Sequence, residues 1–171
     1  GIKDEIMQTA LSHFSGIDRR FQILGEFSYQ KGHILLIDDY GHHPREIAAT
    51  LKAIRNAWPD RRLVMIYQPH RYTRTRDLFN DFVEILSTVD RLLLLDVYAA
   101  GETPIPDANS ASLLKSIHQA GHLNSIHVED KQNLSQTLAQ VLQAGDVLLL
   151  QGAGDIGSIA QNLAHSQLEM N

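Results

Sequence analysis

No cysteine occurs among the 171 residues. That excludes disulfides and thiolate metal sites but fixes the compartment only weakly. A basic excess is also missing: 15 lysines and arginines face 20 aspartates and glutamates, for a net charge of −5. That balance argues against a general nucleic-acid surface. No apolar run approaches the roughly 20 residues of a membrane span, and no signal-peptide pattern opens the chain. A cytoplasmic protein with neither nucleic acid nor membrane as partner is therefore expected. The first residue is Gly rather than Met, so a processed protein or a piece of a longer one is also expected. No G-x-x-x-x-G-K-[ST] sequence occurs, so ATP chemistry is not complete within these residues. Internal repeats, low-complexity segments and interior linkers are lacking too. A chain of this length buries about two thirds of its unfolded surface, so residues 1–171 are expected to form one domain.

What is present is organised around residues 34–51, ILLIDDYGHHPREIAATL. The short apolar run 34–37 suits a strand buried on both faces. It ends in Asp38 and Asp39, followed by Tyr40, Gly41, His42 and His43. Pro44 fits the first turn of a helix, with Glu46 near the positive helix end. Ile47, Leu51, Ile54 and Trp58 then recur at helical spacing. Residues 38–43 are thus the turn where a strand hands over to a helix. In an open α/β sheet that carboxyl edge is where ligands bind.

Upstream, Ile2, Ile6, Ala10 and Phe14 mark an opening helix closed by Gly16. Residues 20–27 alternate, with Phe21, Ile23 and Gly25 on one side, and read as a half-buried strand. The turn 28–32 is too short for a parallel crossover, so the first two strands are expected to form an antiparallel hairpin. Downstream, strands are expected at Leu63–Tyr67, 92–97, Ser125–Val128 and 147–150. Helices are marked by Leu78, Phe79, Phe82, Val83 and Leu86, then by Leu113, Leu114 and Ile117, with Gly121 as their cap. Two more follow at Leu134, Leu138, Val141 and Leu142, and at Ile159, Ala160 and Leu163. Alternation of this kind predicts a doubly wound, mostly parallel Rossmann-like sheet of about six strands, with an antiparallel edge strand and helices on both faces.

Two further loops carry chemistry. Residues 68–77, QPHRYTRTRD, read as a polar loop over 68–75 that holds His70, Arg71, Tyr72 and Arg74, with Arg76 just beyond. Arginine forks bind carboxylates and phosphates bidentately, so the cluster resembles an anion clamp. The plainer reading is a solvated loop whose arginines pair with acids such as Asp77. Residues 152–157, GAGDIG, satisfy G-x-G-x-x-G after a strand. The acid that a dinucleotide fold needs about 20 residues later has no room, which favours a tight turn approaching a ligand or a neighbouring helix. Asp38, Asp39, His42, His43 and Glu46 are metal ligands by type and would suit a metal-dependent hydrolase, although no known ligand spacing is reproduced.

The pair DDYGHHPREIAATL and QPHRYTRTRDLF resembles the carboxyl-terminal third of the Mur ligases, and RRFQILGEF, DVYAAGETPIP and LLLQGAGDIG extend the resemblance over essentially the whole chain. Ala99 stands where many members have proline, and Asp155 where many have asparagine. The resemblance implies an ATP-dependent amide ligase, using Mg²⁺, that adds L-alanine to UDP-N-acetylmuramate in peptidoglycan precursor synthesis by way of an acyl phosphate. It implies an amino-terminal UDP-sugar domain and a central ATPase domain, neither contained in this chain, against which this domain packs. Carried over by position, Asp39 would reach the ATP ribose. Tyr40 and His42 would line the amino-acid pocket, Arg71 and Arg74 would hold its carboxylate beside His70, and Gly152, Ala153 and Gly154 would form a backbone wall. No general base and no metal ligand is implied. A free-standing metal-dependent hydrolase or a nucleotide-binding module is the competing reading.

Overall fold

The computed structural model describes residues 18–168. The expected opening helix at residues 2–14 and its stop at Gly16 lie outside them.

The apolar runs form the strands, and the amphipathic stretches pack on both of their faces. In chain order the elements are β1 (Gln22–Tyr29), β2 (Gly32–Asp39), α1 (Pro44–Ala57), β3 (Leu63–Tyr67), α2 (Tyr72–Asp77), α3 (Phe79–Leu86), β4 (Arg91–Leu95), α4 (Ser110–Gln119), β5 (Ser125–Val128), α5 (Leu134–Val141), β6 (Val147–Gln151) and α6 (Ile156–His165). The six strands lie in the order β1-β2-β6-β3-β4-β5. Only the β1–β2 pair is antiparallel. The expected doubly wound sheet with an antiparallel edge is what forms.

Because side chains alternate along each strand, the sheet feeds two cores. Ile34, Leu36, Val64, Ile66, Leu148 and Leu150 pack against α5 and α6 through Leu138, Ile156 and Ala160. Leu35, Ile37, Met65, Tyr67, Val147 and Leu149 pack against α1, α3 and α4 through Ile47, Ile54, Phe82 and Leu113. The chain after β6 therefore turns to one face, whereas the chain after its neighbours β2 and β3 turns to the other. That divergence opens a crevice over the carboxyl end of β6, as a topological switch point does.

Several expectations shift at the edges. The hairpin turn contains only Gln30 and Lys31, since Tyr29 pairs with Gly32. A register shift between Ile23 and Gly25 inserts Leu24 as a bulge. One extra residue reverses the faces of what precedes it. Leu24, Phe27 and Tyr29 therefore reach the core, while Ile23, expected inward, is 51% exposed. β4 spans Arg91–Leu95 rather than 92–97. The stretch 68–75 is not all loop, because α2 starts at Tyr72, with Thr75 Oγ1 donating to the Arg71 carbonyl at 2.9 Å.

Candidate functional site

Three loops remote in sequence meet at the carboxyl edge of β2, β6 and β3. The backbone stitches them together: Gly152 N donates to Asp39 O at 3.1 Å, and Gln68 N donates to Gln151 O at 3.1 Å. The candidate residues of all three expected stretches are brought to one edge.

In the first loop, period-two alternation sends Asp38 and Asp39 to opposite faces. Asp39 is almost fully buried. Its Oδ1 accepts from Gly41 N (2.8 Å), Gln151 Nε2 (2.6 Å) and Thr50 Oγ1 (3.3 Å), and its Oδ2 accepts from Phe21 N (2.8 Å). Capacity remains for one further donor, at Oδ2. Asp38 is wholly buried and paired with Arg19 Nε at 3.1 Å. Burial pushes its carboxyl up; Arg19 opposes this, and Asp39 adds to it.

The paired histidines divide into two roles. His43 caps α1, its Nδ1 accepting from Arg45 N at 3.2 Å. Glu46 Oε2 returns the favour by accepting from His42 N (2.9 Å) and His43 N (3.0 Å), a reciprocal cap of the kind that closes helix starts. Burial, the largest influence on Glu46, raises its pKa, but the two amide donors together with His42 and Arg20 outweigh it and hold the group below its ordinary 4.5. A lowered folded pKa stabilises above the unfolded value and loses that contribution as pH falls through the folded one. Glu46→Gln should therefore be less stable than the wild type near neutral pH, with the gap closing in acid well below 4.5. Urea midpoints across that range check the sign.

The remaining side chains form an aromatic track across the crevice. Tyr40 meets His42 edge-on at 5.5 Å, His42 lies 5.8 Å from His70, and His70 stacks on Tyr98 at 5.5 Å and 11°. Arg19 and Arg20 stand 5.1 Å and 5.6 Å from the Tyr40 ring. At the other end, Arg74 Nη1 donates to His70 O (3.0 Å) and to His70 Nδ1 (3.2 Å). A guanidinium can only donate, so His70 Nδ1 is unprotonated and the ring proton is assigned to Nε2. Burial lowers the His70 pKa, and Arg74, His42 and Arg71 lower it further. A neutral imidazole results.

The three arginines separate. Arg74 faces His70, whereas Arg71 is about half exposed and only 4.0 Å from Glu102 Oε1. Arg76 pairs on the surface with Asp77 at 2.8 Å, so for this one the solvated reading holds. Arg71 has φ 73°, ψ 136°, a left-handed region that disfavours non-glycine residues. The strain is held by a backbone bond from Arg71 N to Tyr98 O at 2.9 Å. Strained backbone of this kind clusters at ligand clamps.

In the third loop, a side chain on Gly152 would strike Gln68 O, and one on Gly154 would strike Gln68 Oε1 and the Tyr98 ring. The glycines permit close approach of the β3 and β4 loops; Ala153 between them is partly buried. Sequence reasoning missed Gln68, Gln151, Tyr98, Arg19 and Arg20. Gln68 Nε2 donates to Asp155 Oδ1 at 2.8 Å while its Oε1 accepts from Ile156 N at 3.2 Å, tying β3 to the start of α6. A glutamine directly after MIY and another after LLL were visible signals of buried polar roles. Nothing in the spacing marked Tyr98.

The five possible metal ligands do not converge: Asp39 has one free position, at Oδ2, Asp38 is paired with Arg19, and His43 and Glu46 close the helix cap. Among the described residues no group of three or more His, Cys, Asp or Glu side chains is placed to hold an ion.

The family described as Mur ligase, glutamate ligase domain, matches residues 19–154. Among solved structures, the chain is similar to the UDP-N-acetylmuramate–alanine ligase of Thermotoga maritima, with 26% identity and a TM-score of 0.73 over 95% of this chain and 33% of that one. A single domain from a Haemophilus ducreyi protein, named as a UDP-N-acetylmuramate:L-alanyl-γ-D-glutamyl-meso-diaminopimelate ligase, matches at 21% identity and TM-score 0.61, over 86% of this chain and 99% of that one. A bifunctional folylpolyglutamate synthase/dihydrofolate synthase of Yersinia pestis, complexed with AMPPNP and Mn ion, matches at 17% and 0.61 over 96% and 35%. The chain thus spans about a third of the length of the Thermotoga maritima and Yersinia pestis chains.

Proposed function

From the premise that the chain belongs to the Mur ligase family through its glutamate ligase domain, we propose that residues 1–171 form the amino-acid-positioning domain of an ATP-dependent amide ligase. Its amino-acid substrate is L-alanine and its acceptor UDP-N-acetylmuramate. The observation that carries this reading is the juxtaposition of Arg74, Arg71, neutral His70 and His42 at one carboxyl edge. A small zwitterion offers few contacts, so its carboxylate must be fixed by guanidinium forks and its methyl by an apolar wall. Arg74 and Arg71 supply the forks. The faces of Tyr40, His42 and His70 supply the wall, and a neutral His70 adds no positive charge of its own beside the incoming amine.

ATP would supply the phosphoryl group that activates the acceptor carboxylate. Asp39 fits one contact to its ribose, since Oδ2 has capacity for a single hydroxyl donor. Mg²⁺, the phosphate cradle and the UDP-sugar site belong, on this reading, to a central ATPase domain and a UDP-sugar domain outside these residues. This domain's own contribution is orientation and exclusion of water when the domains close.

Phosphate release by the enzyme carrying this domain, measured with ATP, UDP-N-acetylmuramate and a panel of L-alanine, glycine, L-serine and L-glutamate, tests the reading. Preference for L-alanine supports it. Preference for glutamate would reassign the amino acid, and release independent of any amino acid would remove the role altogether.

The same reading predicts that the 171-residue chain alone releases no phosphate above background. An open interdomain pocket leaves an arginine–carboxylate contact in water, where an ion pair contributes about 0–1 kcal/mol. Affinity of the chain alone for L-alanine or ATP should then be no better than about millimolar, roughly −4 kcal/mol. NMR titration checks this, and micromolar binding would mean that the site is complete without other domains.

A further inference from the structure

The opposite edge of the sheet holds a second concavity. Where β3, β4 and β5 begin, a groove of about 740 Å³ is lined by Arg55, Arg61, Arg62 and Arg91, with Asp60 and Asp90 as its only acids. Arg55, Arg61 and Arg62 pair with Asp90, Glu26 and Asp146, which leaves Arg91 as the arginine of the groove without an ion pair among the described residues.

Much of this charge is already committed. Arg61 donates to Gly145 O, His33 O, Asp146 O and Glu26 Oε1. Arg62 donates to both Asp146 oxygens and to Val141 O. Arg55 spends one donor on Asp90 Oδ2, which also accepts from Leu63 N. Arg91 differs. Among the described residues its guanidinium makes no ion pair, and its Nε is buried without any hydrogen-bond partner. The buried Nε lies out of reach of a ligand, so an anion oxygen in the groove would be held by the terminal Nη groups, which make no hydrogen bond among the described residues. The amides of Asn124, Gln140 and Gln143 add further donors around it. The groove is also far larger than a single ion needs and falls in the size range of small-molecule sites.

We propose that this amino-edge groove, anchored by Arg91 and Arg55, binds a small multivalent oxyanion bearing phosphoryl or clustered carboxylate groups. The site is separate from the Arg71–Arg74 crevice. It does not depend on the ligase reading, because the loops after β2, β3 and β6 leave from the other end of the strands.

The test is NMR titration of the 171-residue chain with pyrophosphate and, in parallel, with citrate, following backbone amides and arginine Nε–Hε signals. Saturable shifts are expected at Arg91 Nε–Hε and at the Asn124 and Gln143 amides. Arg91→Gln should weaken binding about tenfold. Arg55→Gln, which changes a side chain about one-third exposed, should weaken it less and serves where Arg91→Gln does not fold. Tighter pyrophosphate identifies phosphoryl ligands, and tighter citrate identifies carboxylates. Absence of saturable shifts in the groove, shifts confined to the Gln68–Arg74 loop, or unchanged affinity in the foldable variant would each overturn the proposal.

Discussion

Arg74→Ala is expected to lower kcat/KM for L-alanine by about ten- to a hundredfold in the enzyme that carries this domain. A charge-assisted hydrogen bond contributes about 1.5–3 kcal/mol, and a bond made in the transition state appears in full in that ratio. Arg71→Ala should act in the same direction but less strongly. The Arg74 guanidinium is already held by the His70 carbonyl at 3.0 Å, whereas that of Arg71 is about half exposed and only loosely paired with Glu102. A preorganised donor loses less freedom on binding. A second readout separates positioning from general disturbance. Arg74 is one of the groups that lower the His70 pKa, so its removal should raise that pKa and shift the acid limb of the pH–rate profile upward. Unchanged alanine kinetics in both variants would leave the loop a solvated surface.

Asp39→Ala should destabilise the chain by about 2–5 kcal/mol, since each buried donor left without an acceptor costs about 1–3 kcal/mol. Phe21 N and Gly41 N would lose their acceptor, while Thr50 Oγ1 would keep only Glu46 O and Gln151 Nε2 only Thr50 Oγ1. Phe21 directly precedes β1 and Gln151 ends β6, so the loss would also loosen the join between β1, β2 and β6. Asp39→Asn keeps one carbonyl acceptor and should cost less. Its amide can take the Oδ1 role toward Gly41 N and Gln151 Nε2, while its NH₂ faces the Phe21 donor. Urea unfolding of both variants gives the order. An alanine variant as stable as the wild type would show that Asp39 is not a structural member of the site and would leave only its proposed ribose contact.

This double duty explains why so much of the site was legible and part of it was not. Residues 34–37, 63–67 and 147–150 are continuous apolar runs because their strands are covered on both faces. A polar turn after such a run must lie at a strand end. That constraint is local, so Asp39, Tyr40, His42, His70, Arg71 and Arg74 could be named from sequence with their loop positions. Pro44 and Glu46 likewise announce the start of α1, because a helix must satisfy its first amides within a few residues.

What the tertiary structure alone decided is which of these side chains face one another. Strand order placed β6 between β2 and β3, and this brought Gly152 and Gln151 beside Asp39. A one-residue bulge reversed Ile23 and Leu24, and no period-two pattern carries that signal. Tyr98 joined His70 through a bridge between loops 28 residues apart in the chain. Arg19 reached Gly152 O at 2.6 Å across the sheet. Periodicity is set by a residue and its near neighbours, and it fixes the elements and their buried faces. Pairings between loops depend on strand order and register, which arise from the whole chain burying both faces of one sheet at once.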